Sequence, residues 1–250
     1  MPMQVVLTVA ESKRLIAKGV AAHPFVRRAL QDGVVIIARG STNGYVAEEI
    51  LGRPLDKPAF LTGRTLPRDH GGPRRKSEPI GEIVLRRGEL VQDIGLSEAI
   101  AELQAGDVFM KGANALDYAN NLAGILVGHP EGGTIGAALP TIIARKARLI
   151  VPVGLEKVVA ADLESMSELI TAEAARSEGV PALWVISSGT IITEIEAVEI
   201  LAGAECHHLA SGGIGGAEGS VRLLVSGDDE AVARARALLD SIAGEELYPI

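Results

Sequence analysis

The 250-residue chain has a single cysteine, Cys206, so neither an intrachain disulfide framework nor a cysteine-built zinc module is open to it. Aromatic residues make up only 3% of the sequence, which leaves few rings for recognising a base or sugar by stacking. No apolar run approaches the roughly 18–20 residues that a membrane helix needs. The first apolar stretch, residues 5–10, gives way at once to Glu11, Lys13 and Arg14, so it does not read as a secretory signal. A basic excess is also missing: 24 Lys and Arg stand against 32 Asp and Glu, a net charge of −8. Nucleic acid and anionic membrane are therefore not expected partners. These absences lead us to expect a cytoplasmic globular protein.

What is present is aliphatic. Hydrophobic residues make up 47% of the chain, and with so few rings the core must be built from Ala, Val, Ile and Leu. That composition suits a buried parallel sheet under small-residue helices. The chain alternates short apolar runs (34–38, 80–86, 107–111, 125–128, 149–153) with amphipathic stretches (23–31, 45–51, 97–103, 134–144, 163–175). Residues 5–9 read as a strand or as the start of a helix. The alternation predicts an α/β fold over residues 1–178, with a Rossmann-like, mostly parallel sheet and helices on both faces. After Gly179-Val180-Pro181 the order becomes strand 183–187, helix 193–201, strands 205–210 and 220–226, and a helix to Ile242, with 247–250 as a closing strand. This predicts a ferredoxin-like α+β region over 179–250.

In such sheets ligands bind at the carboxyl ends of the strands. Arg39-Gly40-Ser41-Thr42-Asn43-Gly44 joins a buried strand to a helix, and its backbone amides, hydroxyls and guanidinium suit an anion. An ordinary capped turn is the competing reading. Lys111, Gly112, Ala113, Asn114 and Asp117 put an ammonium, an amide and a carboxylate on a second loop. His129 and Glu131 stand beside Gly132, Gly133 and Thr134, a candidate base next to a phosphate cradle. Ser187-Ser188-Gly189-Thr190 reads as a helix cap. His207 and His208 adjoin Cys206 but face opposite sides of a strand, so no metal site is expected. No cofactor is expected either. The loop at 62–79 carries Arg64, Arg68, Asp69, His70, Arg74, Arg75 and Lys76, and reads as a solvated loop or as a lid over an anion.

The ordered set of segments 33–46, 107–117, 132–139 and 148–157 resembles the superfamily of ribose-5-phosphate isomerase, glucosamine-6-phosphate deaminase and coenzyme A transferases. The second of these segments also looks like the Gly-Ala-Asn segment of sugar-phosphate-responsive bacterial repressors. The resemblance implies a Rossmann-like protein that binds a phosphorylated sugar or a coenzyme A thioester at the strand ends. It also places Lys157 in the family's Ser-Lys turn. The isomerase's second loop carries two Asp residues where this chain has Lys111 and Asn114, and residues 140–144 hold no acid where the isomerase has its base. Ribose-5-phosphate isomerase activity is therefore not expected. The favoured expectation is a binding protein or sensor for a small anionic metabolite such as a sugar phosphate. The alternative is an isomerase or transferase using Glu131, with His129 or His70 beside it. A third reading, assembly into a homo-oligomer through the C-terminal region, is compatible with either.

Overall fold

The computed structural model describes residues 1–63, 65–66, 78–176 and 178–248. Arg64, Arg68, Asp69, His70, Arg74, Arg75 and Lys76, the charged members of the expected lid, lie outside the described residues. The chain opens with β1 (Met3–Leu7), α1 (Val9–Ala22), α2 (Pro24–Asp32), β2 (Val34–Ile37) and α3 (Ser41–Leu51). The hairpin β3 (Ile83–Arg86) and β4 (Glu89–Leu90) follows, then α4 (Leu96–Glu102) and β5 (Val108–Met110). A second hairpin, β6 (Ala115–Asp117) and β7 (Leu122–Val127), leads to α5 (Gly133–Arg145), β8 (Arg148–Pro152) and α6 (Leu163–Ala172). The last elements are β9 (Ala182–Ile186), β10 (Thr190–Ile192), α7 (Glu194–Ala202), β11 (Glu205–Ser211), β12 (Val221–Ser226) and α8 (Asp229–Asp240).

The centre is a mixed, mostly parallel six-stranded sheet in the order β10-β8-β5-β2-β3-β4, flanked by two small antiparallel sheets, β1-β12-β11 and β6-β7-β9. Strands β2, β5, β8 and β10 run parallel, while β3 pairs antiparallel with both β2 and β4. The parallel strands are apolar on both faces because both are covered. Val35, Ile37, Val108, Met110, Ile150 and Ile192 point into one core with Ile16, Val20 and Tyr45. Ile36, Phe109, Leu149, Val151 and Ile191 point into the other with Ile100, Ile135 and Ile142. The strand period of two thus sorts neighbours into separate cores.

Several helix starts are fixed by side chains. Thr8 and Glu11 form a capping box at α1, and Thr193 and Glu196 form one at α7. Helix α1 crosses α7 at Gly19, where an added Cβ would lie 2.6 Å from the Ala197 Cβ and 2.7 Å from its Cα. Only glycine permits this approach.

The C-terminal region departs from the expected order. Strand β9 pairs with β7, and β10 joins the main sheet beside β8, so both pairings cross residue 178. The place expected for strand 183–187 beside the last two strands is taken by β1, antiparallel to β12. Residues 187–190 do not cap a helix: Thr190 opens β10 and the cap of α7 is Thr193. Leu247 and Tyr248 are not in a strand, and residues 249–250 lie outside the described residues. No helix is long and apolar enough to cross a membrane among the described residues.

Candidate functional site

The carboxyl ends of the parallel strands gather charged and polar side chains from five segments. After β2, the chain turns through Arg39 and Gly40 into α3, which starts without a side-chain cap. Its first amides are therefore left for another acceptor. Asn43, fully buried, donates from Nδ2 to the Ala38 carbonyl at 2.7 Å and the Met110 carbonyl at 3.2 Å, which ties the ends of β2 and β5 together. Its Oδ1 is buried and unpartnered among the described residues. Arg39 pairs with Glu82, just before β3, at 3.2 Å.

Lys111 follows β5 directly. Its Nζ reaches only the Gly112 carbonyl, at 3.4 Å, and it has no carboxylate within salt-bridge distance among the described residues. Burial holds its pKa below the ordinary lysine value, and nearby Glu82 opposes this in part. After β8, Glu156 folds back over Gly154 and binds Lys157 at 2.8 Å through Oε1. Its Oε2 is buried without a partner among the described residues.

Lys13 enters from α1 and is only 8% exposed. Burial, with Lys157 nearby, lowers its pKa to about 8, against the pull of Glu156. It too has no carboxylate within salt-bridge distance among the described residues. Its one close contact of charge is the Tyr248 ring, with Nζ 5.3 Å from the centroid. Tyr248 is held there by a segment that crosses α1: Gly244 donates to Glu11, Arg14 forks onto Glu245 at 3.0 and 2.9 Å, and the Tyr248 hydroxyl donates to the Lys57 carbonyl at 2.6 Å. Glu194, the first residue of α7, is wholly buried. Its Oε2 accepts the Leu155 amide at 2.9 Å and its Oε1 has no partner among the described residues. Burial, then the charge of Glu156, raises its pKa to about 7.

The expected site residues divide into three groups. Arg39, Gly40, Ser41, Thr42, Asn43, Gly44, Lys111, Gly112 and Lys157 stand at this edge. Neither Gly40 nor Gly44 has a left-handed backbone; Gly44 leaves room for Lys57, whose Cγ would lie 3.2 Å from an added Cβ. Ala113 is buried in the core, and Asn114 and Asp117 serve the second hairpin instead of the edge. The Asn114 Oδ1 accepts the Leu126 amide at 3.0 Å, and Asp117 closes a turn onto Asn120.

His129, Glu131, Gly132, Gly133 and Thr134 form the third group, between β7 of a small sheet and α5. Gly132 and Gly133 have positive φ, 82° and 59°, where glycine is favoured. His129 accepts the Glu131 amide, and both side chains are exposed on a shallow groove shared with Trp184, Glu164 and Glu168. No group of three or more His, Cys, Asp or Glu side chains suited to a metal occurs among the described residues.

Sequence reasoning missed Ser12, Lys13, Glu82, Glu156 and Glu194. A signal existed for Lys13, which shares the apolar face of α1 with Ala10, Ala17 and Val20 at helical spacing. Glu194 gave none, because an acid in the first turn of a helix is ordinarily solvated. Comparison with protein-family models, curated proteins and solved structures finds no match to this chain.

Proposed function

We propose that this edge of the sheet binds a small metabolite that carries at least one anionic group, such as a sugar phosphate. The observation that carries the reading is the pair of partly or fully buried lysines, Lys13 and Lys111, that stand at the strand ends without a carboxylate partner among the described residues. Sequestering an ammonium from water is unfavourable unless something of opposite charge completes it. The uncapped start of α3 and the neighbouring Lys157 add amides and charge to the same edge. The ordered resemblance to the sugar-phosphate and coenzyme A superfamily supports the same class of ligand.

The site is built for holding. Lys13 and Lys157 form one cationic end, while Lys111, Arg39 and Glu82 form a mixed end that suits neutral hydroxyls or a carbonyl. The Glu131 alternative is weaker on geometry, since that carboxylate is exposed in a groove with Glu164 and Glu168, which repel an anion. Titration with sulfate and with a panel of phosphorylated sugars, read by calorimetry, tests the proposal. Saturable binding that Lys13→Met and Lys111→Met each weaken is expected. Binding unaffected by both substitutions, or no binding by any anion, overturns it.

A further inference from the structure

Three buried oxygens meet beside the cationic end with nothing to bond. Glu194 Oε1, Glu156 Oε2 and Ser12 Oγ are each unpartnered among the described residues. They come from three elements: α7, the turn after β8, and α1. Ser12 Oγ lies beside the Glu194 carboxyl without reaching hydrogen-bond geometry, and Glu156 is near enough for its charge to raise the cost of ionising Glu194. Glu156 cannot turn freely outward, because it spans Gly154 and holds Lys157. Glu194 cannot move either, because its other oxygen holds the Leu155 amide. Two carboxylates fixed in this way, one of them sealed from solvent, are relieved most simply by a proton on the pair.

Resting on the anion-binding reading above, we propose that ligand binding at Lys13 and Lys157 is coupled to uptake of a proton by the Glu156–Glu194 pair. The groups that face Glu194 are Ser12 from α1, Glu156 from the turn after β8 and the Cys206 thiol from β11, and Glu156 in turn faces Lys157 and Lys13. On its own helix Glu196 is engaged by Thr193. With both carboxylates ionised, their charges offset those of Lys13 and Lys157, and the end is electrically neutral. One proton on the pair leaves a net positive charge there. An anion therefore prefers the protonated form, and by linkage its arrival draws a proton in. The sign follows: affinity is greatest on the acid side and declines as the pair ionises.

Sulfate is the suitable probe, because unlike phosphate it keeps one charge state near neutrality. Calorimetric titration of the full chain in two buffers of different ionisation enthalpy measures the protons taken up. The expected result is net uptake near neutral pH, with affinity falling about tenfold from about pH 6 to about pH 8. Glu194→Gln, which keeps the acceptor for Leu155, should abolish the uptake and hold affinity at the acid-side value. Glu156→Gln is the second variant, should the first fail to fold. Lys13 also loses charge on the alkaline side, and Lys13→Arg removes that part while leaving the uptake. Sulfate binding with no proton uptake in the wild type, or with uptake unchanged in both glutamine variants, overturns the coupling and leaves the binding site standing. Absence of sulfate binding at every pH overturns both.

Discussion

The Asn43 side-chain amide donates to the Met110 carbonyl at 3.2 Å while holding the Ala38 carbonyl at 2.7 Å. One buried side chain thus joins the ends of two adjacent parallel strands at the point where their loops diverge. Asn43→Ala removes the donor to the Ala38 carbonyl and one of two to the Met110 carbonyl, which keeps the Ala38 amide, and should cost about 1–3 kcal/mol of stability. Urea unfolding followed by circular dichroism measures this as a lower midpoint with an unchanged slope. Asn43→Asp should be worse, because it sets a carboxylate against the same carbonyls.

Lys13 and Lys111, which have no carboxylate partner among the described residues, should matter to ligand rather than to fold. Removing either ammonium should weaken sulfate or sugar-phosphate binding about 10- to 100-fold, the range for a hydrogen bond to a charged group. Thermal stability without ligand should hold or rise, since a partly desolvated charge is removed. Glu131→Gln provides the contrast and should leave affinity unchanged.

Glu194 makes stability fall as pH rises. Its carboxyl ionises at about 7 in the folded chain, against an ordinary 4.5. A raised acid favours the folded state below the ordinary value, and that advantage is lost as pH climbs through about 7. Glu194→Gln should flatten this dependence and be more stable than wild type at about pH 8, by on the order of 3 kcal/mol. Denaturant midpoints across pH decide the matter, and parallel curves for the two proteins would contradict it.

The legibility of this chain follows local pattern closely. Val34-Val35-Ile36-Ile37 and Leu149-Ile150-Val151 were readable as buried strands because each is a short continuous apolar run rich in β-branched residues. Strand β10 was not readable, since Thr190-Ile191-Ile192 is short and follows Ser-Ser-Gly. The partner of β1 was hidden for a different reason: it lies more than 200 residues away in the chain, and pairing at that distance leaves no periodic trace. The site divided along the same line. Loops after strands were legible as places where ligands bind, but Lys13 and Glu194 reach the edge from helices, and only tertiary packing brings them there.

Gly19→Ala should force α1 and α7 apart, since the new methyl would stand 2.6 Å from Ala197 Cβ. A loss of about 1–3 kcal/mol is expected, as for other overpacked positions. Adding Ala197→Gly should restore only part of it, because the Ala197 Cα is itself 2.7 Å away. Differential scanning calorimetry of the single and double variants measures both effects.

A chain ended at residue 178 should fail to fold. It would lack β10 and β9, uncovering the edges of β8 and β7, and it would leave β1 without β12. A cooperative thermal transition in such a fragment would contradict this.

The pairing of β1 with β12 also sets an order in time. Residues 3–7 leave the ribosome more than 200 residues ahead of their partners at 221–225. Strand β1 must wait until the segment that carries β12 has been made, and contacts of such long sequence separation form slowly. Lys13 follows that strand directly while Glu194 opens α7 far along the chain, so the cationic end with its acid pair is completed only after α7 has been made. A chain stopped before α7 therefore lacks Glu194, and the proposed coupling needs segments that lie far apart in the sequence.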